Sequence, residues 1–166
     1  MVTIRVASPG DLGVVGVLHV RSWQDAYAPY VPAAMLHSFT PETRIEEWRT
    51  AVARGVVVLV AVRDDAVLGF GAVDPAPALD DAPSGDAYLS ALHTDPELRG
   101  GGIGVRLVEA LADLVRDSAE QLRVHVLDDN LDARRFYERH GFVADGTHKI
   151  EPRLGLPETR LARPLA

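Results

Sequence analysis

The chain has 166 residues, 47% hydrophobic and 25% charged, enough apolar side chain to bury a sizeable core and too much for a disordered chain. Its 24 acidic residues outnumber 17 basic ones for a net charge of -7, which argues against a general nucleic-acid binder and weakly favours small cations such as amines. There is no cysteine, which excludes disulfides, thiolate metal sites and a cysteine nucleophile.

Residues 1–5 carry no basic segment leading into an apolar run, and the longest apolar stretch, Val56 to Val62, is strand-length. The expectation is one cytoplasmic domain over residues 1–166 with no membrane span. Thr3 to Ala7 reads as an opening strand, stopped by Ser8-Pro9-Gly10-Asp11. Val14, Val17 and Leu18 then share a helical face, which Gly13 and Gly16 weaken. An aromatic stretch with Trp23, Tyr27 and Tyr30 follows. Thr40-Pro41-Glu42 opens a second helix, with Ile45, Trp48 and Val52 as its stripe.

Val56 to Arg63 and Ala66 to Asp74 are apolar strands joined by Asp64-Asp65 as a tight hairpin turn. Asp74 to Gly85, rich in proline and alanine, reads as a loop, and Ala87 to Thr94 as a further strand. Gly102 to about Ser118 is a strongly patterned helix with Ile103, Leu107, Leu111, Leu114 and Val115 at three- and four-residue spacing. Leu122 to Leu127 is a strand, Asn130 caps a short helix ending at Gly141, and Phe142 to Ile150 and Glu158 to Pro164 close the chain as strands. The order predicts an α/β fold, a mixed and mostly antiparallel sheet of about seven strands covered by about four helices.

The chemistry concentrates at Arg99-Gly100-Gly101-Gly102-Ile103-Gly104, between the Ala87–Thr94 strand and the patterned helix. Glycines let backbone N–H groups converge on an anion, and the helix N-terminus adds partial positive charge, so the segment predicts a phosphate or pyrophosphate cradle. It is not a nucleoside-triphosphate loop, because Val105-Arg106 stands where lysine and a hydroxyl residue are needed. Nor is it the dinucleotide fingerprint, which wants glycine where Leu107 stands. The six histidines are scattered singly and no Gly-x-Ser-x-Gly occurs, so neither a zinc hydrolase nor a serine hydrolase is expected.

The Arg-x-x-Gly-x-Gly pattern at Arg99 to Gly104 resembles the first motif of the GNAT family of N-acetyltransferases. The strand Val124 to Leu127, followed by Asn130 and Phe136-Tyr137-Glu138-Arg139-His140-Gly141-Phe142, is similar to that family's second block. The resemblance implies central parallel strands that splay apart to admit the pantetheine arm of acetyl-CoA, the expected co-substrate, with no metal. It implies cofactor binding by Leu92, His93, Thr94, Arg99, Gly100, Gly101, Gly102, Ile103, Gly104, Asn130 and Tyr137, with Arg99, Arg106 and Arg134 supplying charge where relatives carry a basic residue at Gly101. Tyr137 would protonate the departing thiolate, and the N–H of Leu92 or His93 would stabilise the oxyanion.

The family's frequent glutamate falls at Tyr88 or Ser90, so the general base is open among Asp86, His93 and His125. Trp23, Tyr27 and Tyr30 would either line an aromatic slot for an amine or pack the helices on the sheet. The expected acceptor is a small-molecule primary amine. Protein N-termini or lysines, and a non-catalytic acetyl-CoA-binding module, are the alternatives, and a homodimer through the final strands is a further expectation.

Overall fold

A computed structural model describes residues 1–78 and 82–166. Seven strands form one mixed sheet: β1 (Thr3–Val6), β2 (Val57–Arg63), β3 (Ala66–Asp74), β4 (Ala87–Thr94), β5 (Gln121–Leu127), β6 (Val143–Glu151) and β7 (Leu156–Pro164). Their spatial order is β1-β2-β3-β4-β5-β7-β6, parallel only at β4–β5. The helices are α1 (Leu12–Tyr27), α2 (Ala33–Leu36), α3 (Pro41–Ala53), α4 (Ile103–Val115) and α5 (Leu131–Arg139). The one-turn α2, opened by Pro32, lies in the aromatic stretch and is the element the sequence pattern does not reveal. Residues 79–81 of the expected 74–85 loop lie outside the described residues.

The sheet divides two cores by the period-two rule. On β2, Leu59 and Ala61 face one side, where Leu107, Val108, Leu111 and Val115 of α4 pack with Phe142. Val58 and Val60 face the other, against Val15 and Leu18 of α1 and Trp48 of α3. The hairpin between β2 and β3 has positive φ at both Asp64 (50°) and Asp65 (63°), the twist that a two-residue hairpin favours. Gly16 in α1 has a packing reason: a Cβ there would stand 2.4 Å from Ile45 Cγ1 and 3.0 Å from the Ile45 backbone nitrogen. The helix tolerates a poor helix former so that α3 can approach.

The feature that positions the site is how early β4 and β5 part. They pair only at Ala87–Leu122 and Tyr88–Arg123, although both strands run on. Ser90 is the extra residue of a bulge, since Val73 pairs with Leu89 and Ala72 with Ala91; its hydroxyl donates to the Ala72 carbonyl at 3.3 Å. Bulges bend a strand and raise its twist, and here the bend carries β4 away from β5.

A buried ionic network clamps the closed end. The Arg123 guanidinium donates from Nε to Asp86 and from Nη1 to Asp145. Arg160 donates from Nε to Asp145 at 2.5 Å and from Nη1 to the Tyr88 hydroxyl at 3.3 Å. Buried charges are tolerable only when paired this fully. Arg123→Ala leaves Asp86 buried without its cation and is expected to reduce unfolding free energy by about 3–5 kcal/mol. Urea denaturation followed by tryptophan fluorescence measures this; a loss below about 1 kcal/mol would place the clamp elsewhere.

Candidate active site

Beyond Tyr88 the diverging strands open a cleft of about 430 Å³, walled by Leu89 to Thr94 of β4, Val124 to Val126 of β5, Asn130, Tyr137, and Ser22 and Tyr27 of α1. A second cavity of about 540 Å³ lies between Arg99–Gly104 and the Ala133, Phe136, Arg139 and His140 side chains of α5. The two share Leu92, Thr94, Arg99, Asp132, Ala133 and Tyr137, so they adjoin along the gap. A third, of about 220 Å³, meets the cleft at Tyr27, Ser90 and His125 and is also walled by Trp23, Phe39 and Arg44.

The glycine segment folds as its composition requires. Gly100 and Gly102 have φ of 83° and 77°, where a side chain would be strained, and Gly102 caps α4. Ile103, buried beneath, anchors the helix start. The first-turn N–H groups of α4 have no intrahelical acceptor and carry the positive end of the dipole, so an anion in the second cavity meets donors. Gly104 faces α5, where a Cβ would meet the Phe136 ring at 3.5 Å.

Side-chain charge at the cradle differs from expectation. Arg99 lines both cavities but pairs with Asp25 of α1. Arg134 pairs with Glu138 at 3.1 Å and Arg106 donates to the Val2 carbonyl at 2.8 Å; neither belongs to the walls of these cavities. Arg139 and His140 do. The signal that locates the lining is the recurrence of Ala133, Phe136, Tyr137 and His140 at helical spacing along α5.

Tyr137 is 8% exposed and belongs to both cavities. Burial pushes its phenol well above the ordinary tyrosine range, with nearby Tyr27 adding to the effect, so it stands as a neutral hydrogen donor. Asn130 caps α5, its side-chain oxygen accepting from the Ala133 N–H at 3.2 Å. Tyr27 is likewise raised by burial, opposed by a hydrogen bond with Asn130. Tyr27 therefore reaches from α1 to the far wall, while Trp23 packs edge-on to Phe39 at 4.5 Å and borders the third cavity. Tyr30 packs edge-on to Tyr27 at 5.6 Å, outside these cavity walls.

His93 points to the α1 side of the sheet. Its Nδ1 lies 3.0 Å from the Ser22 hydroxyl, and its ring stacks on Phe70 and meets His19 at 4.7 Å. Burial lowers His93 to about 4, with Arg44 and Arg99 contributing, and lowers His19 well below the usual histidine value. His19 accepts from the Trp48 indole N–H at 3.0 Å. His125 lines the opposite wall, stacked on Tyr88 at 5.2 Å. Asp86 is elsewhere: it precedes β4, six residues before Leu92 and so about 20 Å along the strand, buried against Arg123. Its carboxylate belongs to the clamp and does not wall the cleft.

A family model described as the acetyltransferase (GNAT) family matches residues 18–142, and the chain belongs to that family of N-acetyltransferases. It is 25% identical over 130 residues to the uncharacterised N-acetyltransferase YuaI of Bacillus subtilis, covering 78% of this chain and 74% of that one. It is 37% identical over 70 residues to the peptidyl-lysine N-acetyltransferase YjaB of Salmonella typhimurium, covering 42% and 45%. In fold it is similar to the PaiA N-acetyltransferase of Thermoplasma acidophilum in complex with coenzyme A, with a TM-score of 0.77 and 20% identity over 99% of each chain. The yncA protein of Salmonella typhimurium with its cofactor acetyl-CoA gives a TM-score of 0.75 and 16% identity over 100% and 95%. Among the described residues no helix is long and apolar enough to cross a membrane.

The buried histidines make stability pH-dependent. Unfolded, they take up protons near pH 6.5; folded, His93 does so only near 4. Their contribution is therefore complete above about pH 6.5 and is lost as pH falls towards 4. Urea midpoints are expected to drop between pH 7.5 and 4.5, with a flatter profile for His93→Gln; a constant midpoint would contradict the neutral pair.

Proposed function

We propose that the chain transfers the acetyl group of acetyl-CoA to a primary amine of a small molecule, by direct attack in a ternary complex. The observation that carries this reading is the row of adjoining cavities that runs from the Arg99–Gly104 segment, along the β4–β5 gap beside Tyr137, to the cavity walled by Trp23, Tyr27 and Phe39. Its dimensions and groups suit acetyl-CoA: N–H donors for a pyrophosphate, then a strand edge for an amide-bearing arm. The relatives solved with coenzyme A and acetyl-CoA support the same co-substrate.

When bound, acetyl-CoA supplies an activated thioester. Leu92, His93 and Thr94 lie where β4 has parted from β5, so their backbone groups on that edge are available to the pantetheine amides. The N–H of Leu92 or His93 is the donor for the carbonyl oxygen as it gains charge, a contribution of about 3–4 kcal/mol where measured. Tyr137, kept protonated by burial, hands its proton to the departing sulfur and is restored by the proton that the acylated nitrogen releases through solvent. Holding both reactants in adjoining cavities supplies much of the remaining acceleration.

The base is not Asp86, which the clamp holds away from the cleft. His93 stays neutral at pH 7 and is a weak base, so it accepts a hydrogen bond from an amine that has already lost its proton towards solvent. The 70-residue likeness to a peptidyl-lysine N-acetyltransferase gives the protein-acceptor reading its footing. The 220 Å³ of the third cavity favours a small acceptor.

Acetyl-CoA at about 100 times its Kd is expected to add about 2.7 kcal/mol of stability, seen as a rise in melting temperature that NAD and ATP do not give. Tyr137→Phe is expected to keep that rise while kcat for CoA release with an amine falls by about 10²–10⁴-fold. An unchanged kcat would remove Tyr137 from the acid role.

A further inference from the structure

Arg44 of α3 is the group in the third cavity whose chemistry the transfer reaction leaves unused. The residue is 7% exposed, and its guanidinium lies 4.3 Å from the Phe39 ring centre and 6.0 Å from that of Trp23. Nη1 donates to Glu47 at 2.8 Å, while Nε is buried with no hydrogen-bond partner among the described residues. A buried donor left unmade is costly and uncommon. The guanidinium lies over the Phe39 ring, and its fork of remaining donors suits a planar bidentate acceptor. Burial lowers the Arg44 pKa, the expected response of a cation short of partners.

The surrounding charges narrow the ligand. Glu47 is shared, since Arg153 also approaches it at 3.5 Å, and Glu151 is the other acid that acts on Arg44. The cavity's own acids are partly engaged: Glu151 accepts the Leu154 N–H at 2.7 Å, and Glu158 pairs with Lys149 at 3.8 Å. A polyamine would meet Arg44 and Arg153 as like charges. A zwitterion would not, because its ammonium can lie towards the acids and the cleft while its anionic end meets the arginine.

We infer that the acceptor is a small amino-acid-like amine with a carboxylate a few bonds from its nucleophilic nitrogen, and that Arg44 binds that carboxylate. The inference rests on the acetyl-transfer reading and specifies its substrate class. Trp23, Tyr27 and Phe39 enclose the acceptor's apolar part, and the amine enters the cleft between Ser90 and His125.

The test measures CoA release with the common L-amino acids beside their carboxamides and decarboxylated amines, for example L-phenylalanine, L-phenylalaninamide and 2-phenylethylamine. At least one acid is expected to exceed its amide and amine in kcat/KM by about 10- to 100-fold, the range of a charge-assisted hydrogen bond. Arg44→Met, close in bulk, is expected to erase most of that preference by raising KM for the acid, while acetyl-CoA still raises its melting temperature. Amides or amines turned over as well as the acids, exclusive use of peptide lysines, or an undiminished preference in Arg44→Met would each overturn the inference. So would acetyl-CoA binding with turnover of none of the acids, although acetyl transfer would then still stand. Absence of any acetyl-CoA effect on melting would instead fell the transfer reading, and this inference with it.

Discussion

Everything in the site follows from two parallel strands that are held together at one end and forced apart at the other. Parallel strands at the centre of a sheet normally pair along their length, because buried backbone groups need partners. Here the Arg123 and Arg160 guanidiniums tie Asp86, Asp145 and Tyr88 across the paired end, and the Ser90 bulge bends β4 away just beyond it. The open stretch leaves backbone donors and acceptors inside the protein. A ligand with amides along its length satisfies them as a further strand would, and a purely apolar ligand would not. The clamp is thus a structural feature with a functional consequence: it fixes where the gap begins, and so how deep the cleft runs.

Local charge departs from the net charge in the same region. A chain with a formal charge of -7 places Arg99 and Arg139 beside the glycine segment, and Arg44 and Arg153 with Glu151 and Glu158 in the third cavity. Between these ends two histidines and two tyrosines are kept neutral by burial: His19 and His93 lowered, Tyr27 and Tyr137 raised. A low-charge middle strengthens whatever hydrogen bonds form there. It also suits a reaction that begins with a neutral amine and a neutral thioester and separates charge only as bonds change.

The parts of this arrangement legible in the sequence are those encoded over a few neighbouring residues. The α4 stripe, the Asp64–Asp65 turn, the positive-φ glycines before α4 and the Asn130 cap each carry their signal locally; all form, except that Leu114 of the expected stripe is exposed while Val108 and Ala112 are buried. Asp86 is different: its distance from the cleft depends on how far an extended strand reaches, and its role depends on Arg123, distant in sequence. Arg134 and Arg139 show the same limit on a helix, where five residues decide which cation faces the cavity and which only pairs with Glu138. Arg44 is illegible for a stronger reason. Nothing about an arginine in an amphipathic helix reveals that Trp23, Phe39 and the β6–β7 turn will close over it.

Tyr27 stands on α1 yet lines both the cleft and the third cavity. Its hydroxyl meets Asn130, and it lies close enough to Tyr137 to raise that phenol further. The register of α1 therefore sets a wall of the third cavity and the surroundings of Tyr137 at once. That register is held by contacts outside the cleft: the Gly16–Ile45 approach against α3, and Arg21 pairing with Asp95 at 3.1 Å beside the cradle. The Arg99–Asp25 pair adds a tie from the cradle to the same helix. A shift of α1 would move Ser22, Tyr27 and their partners together, so the cleft and the third cavity are mechanically coupled through one helix. On this arrangement a substitution at the α1–α3 contact reshapes both cavities without lining either.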